Sequence, residues 1–210
     1  MLRSLAVLDI LLSSDWHRPR FSFVAKWGKH QLGTYSDFSG GWFMVLFTGP
    51  DAAVLKGYGH ESAMTPLKRG NEKRWPGLFD GIPRDMVCVK NRPMYLPKEV
   101  TYCLWHPAGG TWTMGRVRFP AGEADPDGSA AHLAVLDEAP ESYVRFVRDV
   151  HGKKVSLAAV KRVYAGEPLS WALISKLAPN VHLWRAVRDA EETGYPLTKP
   201  LLLKVGAEGW

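Results

Sequence analysis

Between residues 119 and 130 the chain changes character, and that change restricts the fold more than any other feature. Before it lie six short extended runs, Phe21–Trp27, Gln31–Tyr35, Trp42–Thr48, Ala53–Tyr58, Val100–His106 and Thr111–Phe119, separated by turns bearing Gly, Pro or Asp. Short runs of that kind, linked so tightly, pair as antiparallel neighbours. After it come capped amphipathic segments. Ser129 caps a helix from Ala130 to Glu138. Pro140 suits a first helical position, and Tyr143, Val144, Phe146, Val147 and Val150 make one stripe that Gly152 ends. Ser156 caps Leu157–Ala165, Pro168 opens a further helix, and Asn180 caps Val181–Thr193 with Leu183, Trp184 and Val187 facing inward. The fold class is therefore α+β: an antiparallel meander or hairpin sheet in the first 120 residues, with a C-terminal cluster of short helices packed on it. Residues 1–210 are read as a single domain, in which a β-rich region (1–120) and a helical region (121–210) share one core.

Two segments refine this picture. Trp42–Thr48 is apolar without interruption, as a strand covered on both faces would be. It should be the most buried strand, with Met44, Leu46 and Phe47 in the core. Leu2–Leu12 repeats Leu at helical spacing (Leu2, Leu5, Leu8, Leu12) and reads as an amphipathic first helix. Asp9 breaks its apolar run, and Ser13-Ser-Asp-Trp-His17 stands where a cleavage site would be, so it is not read as a signal peptide. The run also falls short of the ~20 residues a membrane span requires.

A chain of 210 residues hides roughly 70% of its unfolded surface and needs no metal or disulfide to hold together. With 46% hydrophobic and 23% charged residues it is ordinary globular material. The two cysteines, Cys88 and Cys103, come without an export signal and are expected to be free thiols in the reducing cytoplasm. No membrane association is expected.

No P-loop, G-x-G-x-x-G, H-E-x-x-H or G-x-S-x-G occurs. Metal binding fails on geometry. Cys103 and His106 lie three apart in one strand, so alternation sends them to opposite faces, and pairing Cys88 with His60 leaves a ligand set too sparse for structural zinc. No cofactor is expected. His60, Glu61 and Ser62 stand side by side after a strand. Adjacent residues diverge, so they are no triad, yet His60 or Glu61 can serve as acid or base if the irregular stretch from Gly59 to Pro97 roofs a pocket. Asp37 sits on a Gly-bearing turn, where it either bonds its own backbone or meets His60 at a pocket rim.

Charge supplies the other candidate. Residues 1–98 carry 14 Lys and Arg against 8 Asp and Glu, while residues 99–210 carry 13 of each. The whole excess lies in front, and Lys68, Arg69, Lys73 and Arg74 concentrate it beside Trp75. This pattern favours a small cytosolic interaction protein, of regulatory or immunity type, that docks an acidic protein partner at 68–75. The alternative is a small enzyme or ligand-binding protein with His60, Glu61 and Asp37 as working groups and a small anionic ligand. Nucleic-acid binding is third, because one basic loop is much less than a basic stripe.

Overall fold

The computed structural model describes residues 1–13, 19–70, 73–87 and 99–208. Cys88 and some of the stretch from Gly59 to Pro97 lie outside them. Six strands follow in chain order, β1 (Phe21–Trp27), β2 (His30–Ser36), β3 (Trp42–Gly49), β4 (Ala52–Tyr58), β5 (Tyr102–His106) and β6 (Thr113–Met114), and they take the same order in one antiparallel sheet. The helices are α1 (Leu2–Leu12), α2 (Pro66–Arg69), α3 (Ser129–Leu133), α4 (Pro140–His151), α5 (Leu157–Tyr164), α6 (Trp171–Leu177), α7 (Leu183–Glu192) and α8 (Lys199–Glu208). The α+β class and the meander follow the sequence reading. Contacts divide the chain into two compact units, residues 26–133 and residues 1–25 with 134–210.

In the sheet unit the register sets the two faces. Trp42 lies opposite Tyr58, Met44 opposite Lys56, Leu46 opposite Val54, and Lys56 in turn opposite Cys103. These residues share one face, where Leu32, Trp42, Met44, Leu46, Val54, Tyr58, Cys103 and Trp105 form a buried cluster. Met64, Leu78, Met86 and Val100 complete it from the segment between β4 and β5, with Trp75, Phe79 and Ile82 packed on its edge. The irregular stretch thus supplies the cover of a β-sheet face. The other face carries Tyr35, Phe43, Gly57 and Tyr102. A Cβ on Gly57 would stand 2.1 Å from the Tyr102 ring, so only glycine lets that phenol lie flat on β4.

Three details of the sheet differ from expectation. β4 is buried along six of its seven residues and β3 only from Trp42 to Leu46, so β4 is the more buried strand and Phe47 is half-exposed. The register shift between Phe47 and Gly49 turns the end of β3 outward. The expected strand at 111–119 shrinks to two residues paired with Leu104 and Trp105. Beyond it a Cβ on Gly115 would meet the Gly77 carbonyl oxygen at 1.9 Å, so the chain leaves the sheet to lie on Gly77 and Leu78.

In the helical unit α1 packs against α4, α5, α6 and α7. It is buried nearly all round, which explains its mixed face. Asp9, fully buried inside it, accepts hydrogen bonds from the backbone N–H groups of Arg20 and Phe21 and lies 3.1 Å from His151 Nε2. Gly152 ends α4 in the left-handed region, and Ser156 Oγ caps α5 by accepting from the Ala159 N–H. Two expectations shift. Ser170, not Pro168, caps α6, because Leu169 bridges to Leu197. His182 precedes α7, whose Trp184 points outward with the Arg188 guanidinium 5.5 Å from its ring, while Ala186 and Val187 are buried. Among the described residues no helix is long and apolar enough to cross a membrane.

Candidate functional site

The turn between β2 and β3 places Asp37. Its Oδ1 accepts from the N–H groups of Ser39 and Gly41, at 2.6 and 2.9 Å, which locks the carboxylate against its own turn. Oδ2 is left facing the other way. The strand β4 ends at Tyr58, the N–H of the next residue, Gly59, donates to Thr101 Oγ1, and His60 follows at once. His60 Nδ1 lies 3.8 Å from Asp37 Oδ2. Asp37 thus bonds its own backbone through Oδ1 and lies at ion-pair distance from His60 through Oδ2.

A second imidazole reaches the same oxygen from a distant segment. Ser62 Oγ donates to the Pro126 carbonyl and Thr101 Oγ1 to the Asp127 carbonyl, which stitches residues 126–127 onto the end of β4. A Cβ on Gly59 would stand 2.7 Å from Gly128 Cα, so the two glycines allow backbone-to-backbone contact there. Asp125 accepts from the N–H groups of Ala130 and Ala131, Asp127 from that of Ser129, and α3 starts from this point. One turn on, His132 sets Nε2 3.7 Å from Asp37 Oδ2 and Nδ1 2.9 Å from the Tyr102 hydroxyl. Gly41 permits this approach. A Cβ there would meet Asp37 Oδ2 at 2.2 Å and His132 Nε2 at 2.5 Å.

One carboxylate oxygen thus stands between two imidazoles at ion-pair distance, longer than a hydrogen bond. Burial pushes the Tyr102 phenol far above its usual range, so it stays protonated and donates. The His132 ring then accepts at Nδ1 and presents Nε2–H toward Asp37. Burial also lowers the pKa of His132, the nearby Asp37 notwithstanding, which favours the neutral ring at pH 7. His60 is more open, with 31% of its side chain exposed against 10% for His132. Its Nε2 lies 3.1 Å from Glu61 Oε1, and Glu61 is largely in solvent. Tyr102, His132, Asp37, His60 and Glu61 form a continuous line of titratable groups from the core to the surface.

The basic segment is folded rather than open. Thr65 caps α2 by accepting from the Lys68 N–H, and Gly70 ends it in the left-handed region. The Arg69 guanidinium lies 5.2 Å from the Trp75 ring centroid and donates to the Lys73 carbonyl. Arg74 lies 5.2 Å from the Phe79 ring. Trp75 Nε1 donates to the Arg118 carbonyl, and Lys68 Nζ reaches the Glu61 carbonyl and carboxylate. Two of the four expected docking cations therefore lie on aromatic rings of their own loop.

The structure brings together Asp37, His60 and Glu61, which sequence reasoning named, with His132 and Tyr102, which it did not. Sequence reasoning also missed Lys56, which is fully buried on β4 opposite Cys103, with its ammonium 6.0 Å from the Trp42 ring and no hydrogen-bond partner among the described residues. Burial lowers its pKa, and burial pushes the free Cys103 thiol up to about 12. Cys103 faces the core cluster together with Trp105, as strand alternation requires. Among the described residues no group of three or more His, Cys, Asp or Glu is placed to hold a metal ion. No family model, no curated protein and no solved structure matches the chain.

Proposed function

We propose that residues 26–133 form a ligand site with acid–base groups, an enzyme or small-ligand binder in which His60 does the proton work. The carrying observation is Asp37 Oδ2 set between two imidazoles, with a third group, Tyr102, holding the inner one. A base oriented by a carboxylate that is itself held in place is the common arrangement for proton transfer. In this reading Asp37 orients His60, His132 and Tyr102 position Asp37, and Glu61 swings into solvent to release His60 Nε2. Lys68, whose ammonium reaches Glu61, adds a cation next to these groups, which suits a small anionic ligand. The free Cys103 thiol fits a cytoplasmic setting.

The test is a ligand titration followed at the histidine rings by NMR, using phosphate, short carboxylates and nucleoside monophosphates. A ligand should shift both rings, and Asp37→Asn or His60→Ala should abolish the response while the sheet stays folded. Probes that move only the amides of α2 would defeat this reading.

One observation favours the second reading, docking of an acidic protein at the basic loop. Leu67 is 84% exposed on α2, beside Lys68, on a helical turn capped at both ends. An exposed apolar anchor flanked by cations is what a protein interface uses. Leu67→Asp with Lys68→Ala should then abolish docking and leave the histidine rings unmoved. Nucleic acid has less support, since the Trp75 ring meets Arg69 and its N–H is taken by a carbonyl.

A further inference from the structure

The helical unit contains a cavity of about 600 Å³, between the carboxyl half of α1, the first half of β1, the chain after α4, and the segment from the end of α6 through α7. That volume lies within the range of sites that enclose small molecules. Its inner wall is apolar, formed by Leu11, Leu12, Phe21, Phe23 and Leu177, all of them buried. Asp9 also lines it, but its oxygens are engaged by the N–H groups of Arg20 and Phe21 and by His151.

The polar lining is asymmetric. Lys153, Lys154, His182 and Arg185 face the cavity, Lys154 and His182 as exposed residues of its rim. Against them stand Asp189 and Glu192, two to three turns along α7 from His182, roughly 10–15 Å away at 1.5 Å per residue. Burial, and then the neighbouring Glu192, raises the pKa of the Asp189 carboxyl, against the opposing effect of Arg185 and Arg188. Lys153 Nζ donates to the Leu12 carbonyl, and Lys154 and His182 stand at the end of the cavity away from the two carboxylates of α7.

We propose that this cavity binds an amphipathic anion, an unbranched apolar chain inserted among Leu11, Leu12, Phe21, Phe23 and Leu177, with a carboxylate-type head at Lys154 and His182. It is separate from the histidine site, and neither proposal depends on the other. Apolar contact supplies most of the affinity, and the cations select the head group.

Isothermal titration of the full chain with dodecanoate, dodecanol and dodecyltrimethylammonium, each below its aggregation threshold, tests the inference. Dodecanoate should bind one per chain, dodecanol about tenfold more weakly, and the cation not at all. Lys154→Glu and His182→Glu change exposed rim residues, and each should weaken dodecanoate by about tenfold without altering the thermal melt. Ala178→Trp, at the half-buried edge of the cavity, should block it. Three equal affinities, no binding of dodecanoate, or binding indifferent to both rim substitutions would overturn the proposal.

Discussion

The two faces of the sheet treat their buried titratable groups in opposite ways. On the face with Tyr102 the phenol hydrogen-bonds His132, and His132, Asp37 and His60 follow at ion-pair distance in a line that ends at the surface. On the other, Lys56 is fully buried, its ammonium 6.0 Å from the Trp42 ring and with no hydrogen-bond partner among the described residues. A satisfied buried network reinforces itself, whereas an orphaned amine is a standing cost. The same sheet therefore separates polar groups that support its stability from one that opposes it.

Four expected outcomes break or sharpen that contrast. The largest belongs to the covered face, where Leu46→Ala should cost about 2–5 kcal/mol in urea unfolding, because the side chain is fully enclosed. An unchanged midpoint would mean that the cluster is not the core. On the opposite face Tyr102→Phe leaves His132 Nδ1 without its donor and should cost about 1–3 kcal/mol. Lys56→Met should do the reverse and raise stability by about 1–2 kcal/mol, since it removes a buried amine and keeps the volume. A loss in that variant would show the amine to be satisfied and would erase the difference between the faces.

The smallest effect is in the pH profile. His132 and Lys56 both have lowered pKa values in the folded protein, so the unfolded chain binds the extra proton in each window. Stability should climb with pH up to about 6.5 on account of His132 and, in a separate window, up to about 10.5 on account of Lys56. It is lost again as pH falls below each value. Asp127 acts with the opposite sign. Burial raises its pKa, so its contribution is present below about 3.8 and fades as pH rises through the folded value. Chemical denaturation across pH should lose the acid limb in His132→Gln and the alkaline limb in Lys56→Met. A profile unaltered by either change would place the linkage on other groups.

Local signals carried most of the fold. The Leu spacing gave α1 to the residue, Gly152 and Ser156 ended and began the helices expected of them, and short extended runs between turns gave β1 to β5. What local reasoning missed was decided at long range. β6 is short because Gly115 must lie on Gly77, and nothing in 111–119 announces that neighbour. His132 reaches Asp37 through bonds that join Ser62 to Pro126 and Thr101 to Asp127, across 64 and 26 residues. No periodicity records such a stitch. Lys56 was legible, since alternation puts it on one face with Val54 and Tyr58, and an amine between those two is buried if they are. The basic loop was legible only in part, because a run of cations does not say which of them stack on their own aromatic neighbours.

The burial of α1 has a consequence for how the chain is made. The helices it packs against begin only at Pro140 and run to Glu192. Synthesis at about 5–20 residues per second keeps that apolar segment waiting for roughly ten seconds or more before its partners leave the ribosome. The whole of residues 26–133 is completed in the interval. During it Leu5, Leu8 and Leu11 have no native cover, and Asp9, the residue that interrupts them, is the charge that keeps the nascent segment from being a purely greasy one. The same side chain serves the newborn chain as a solubilising break and the finished one as an internal clasp.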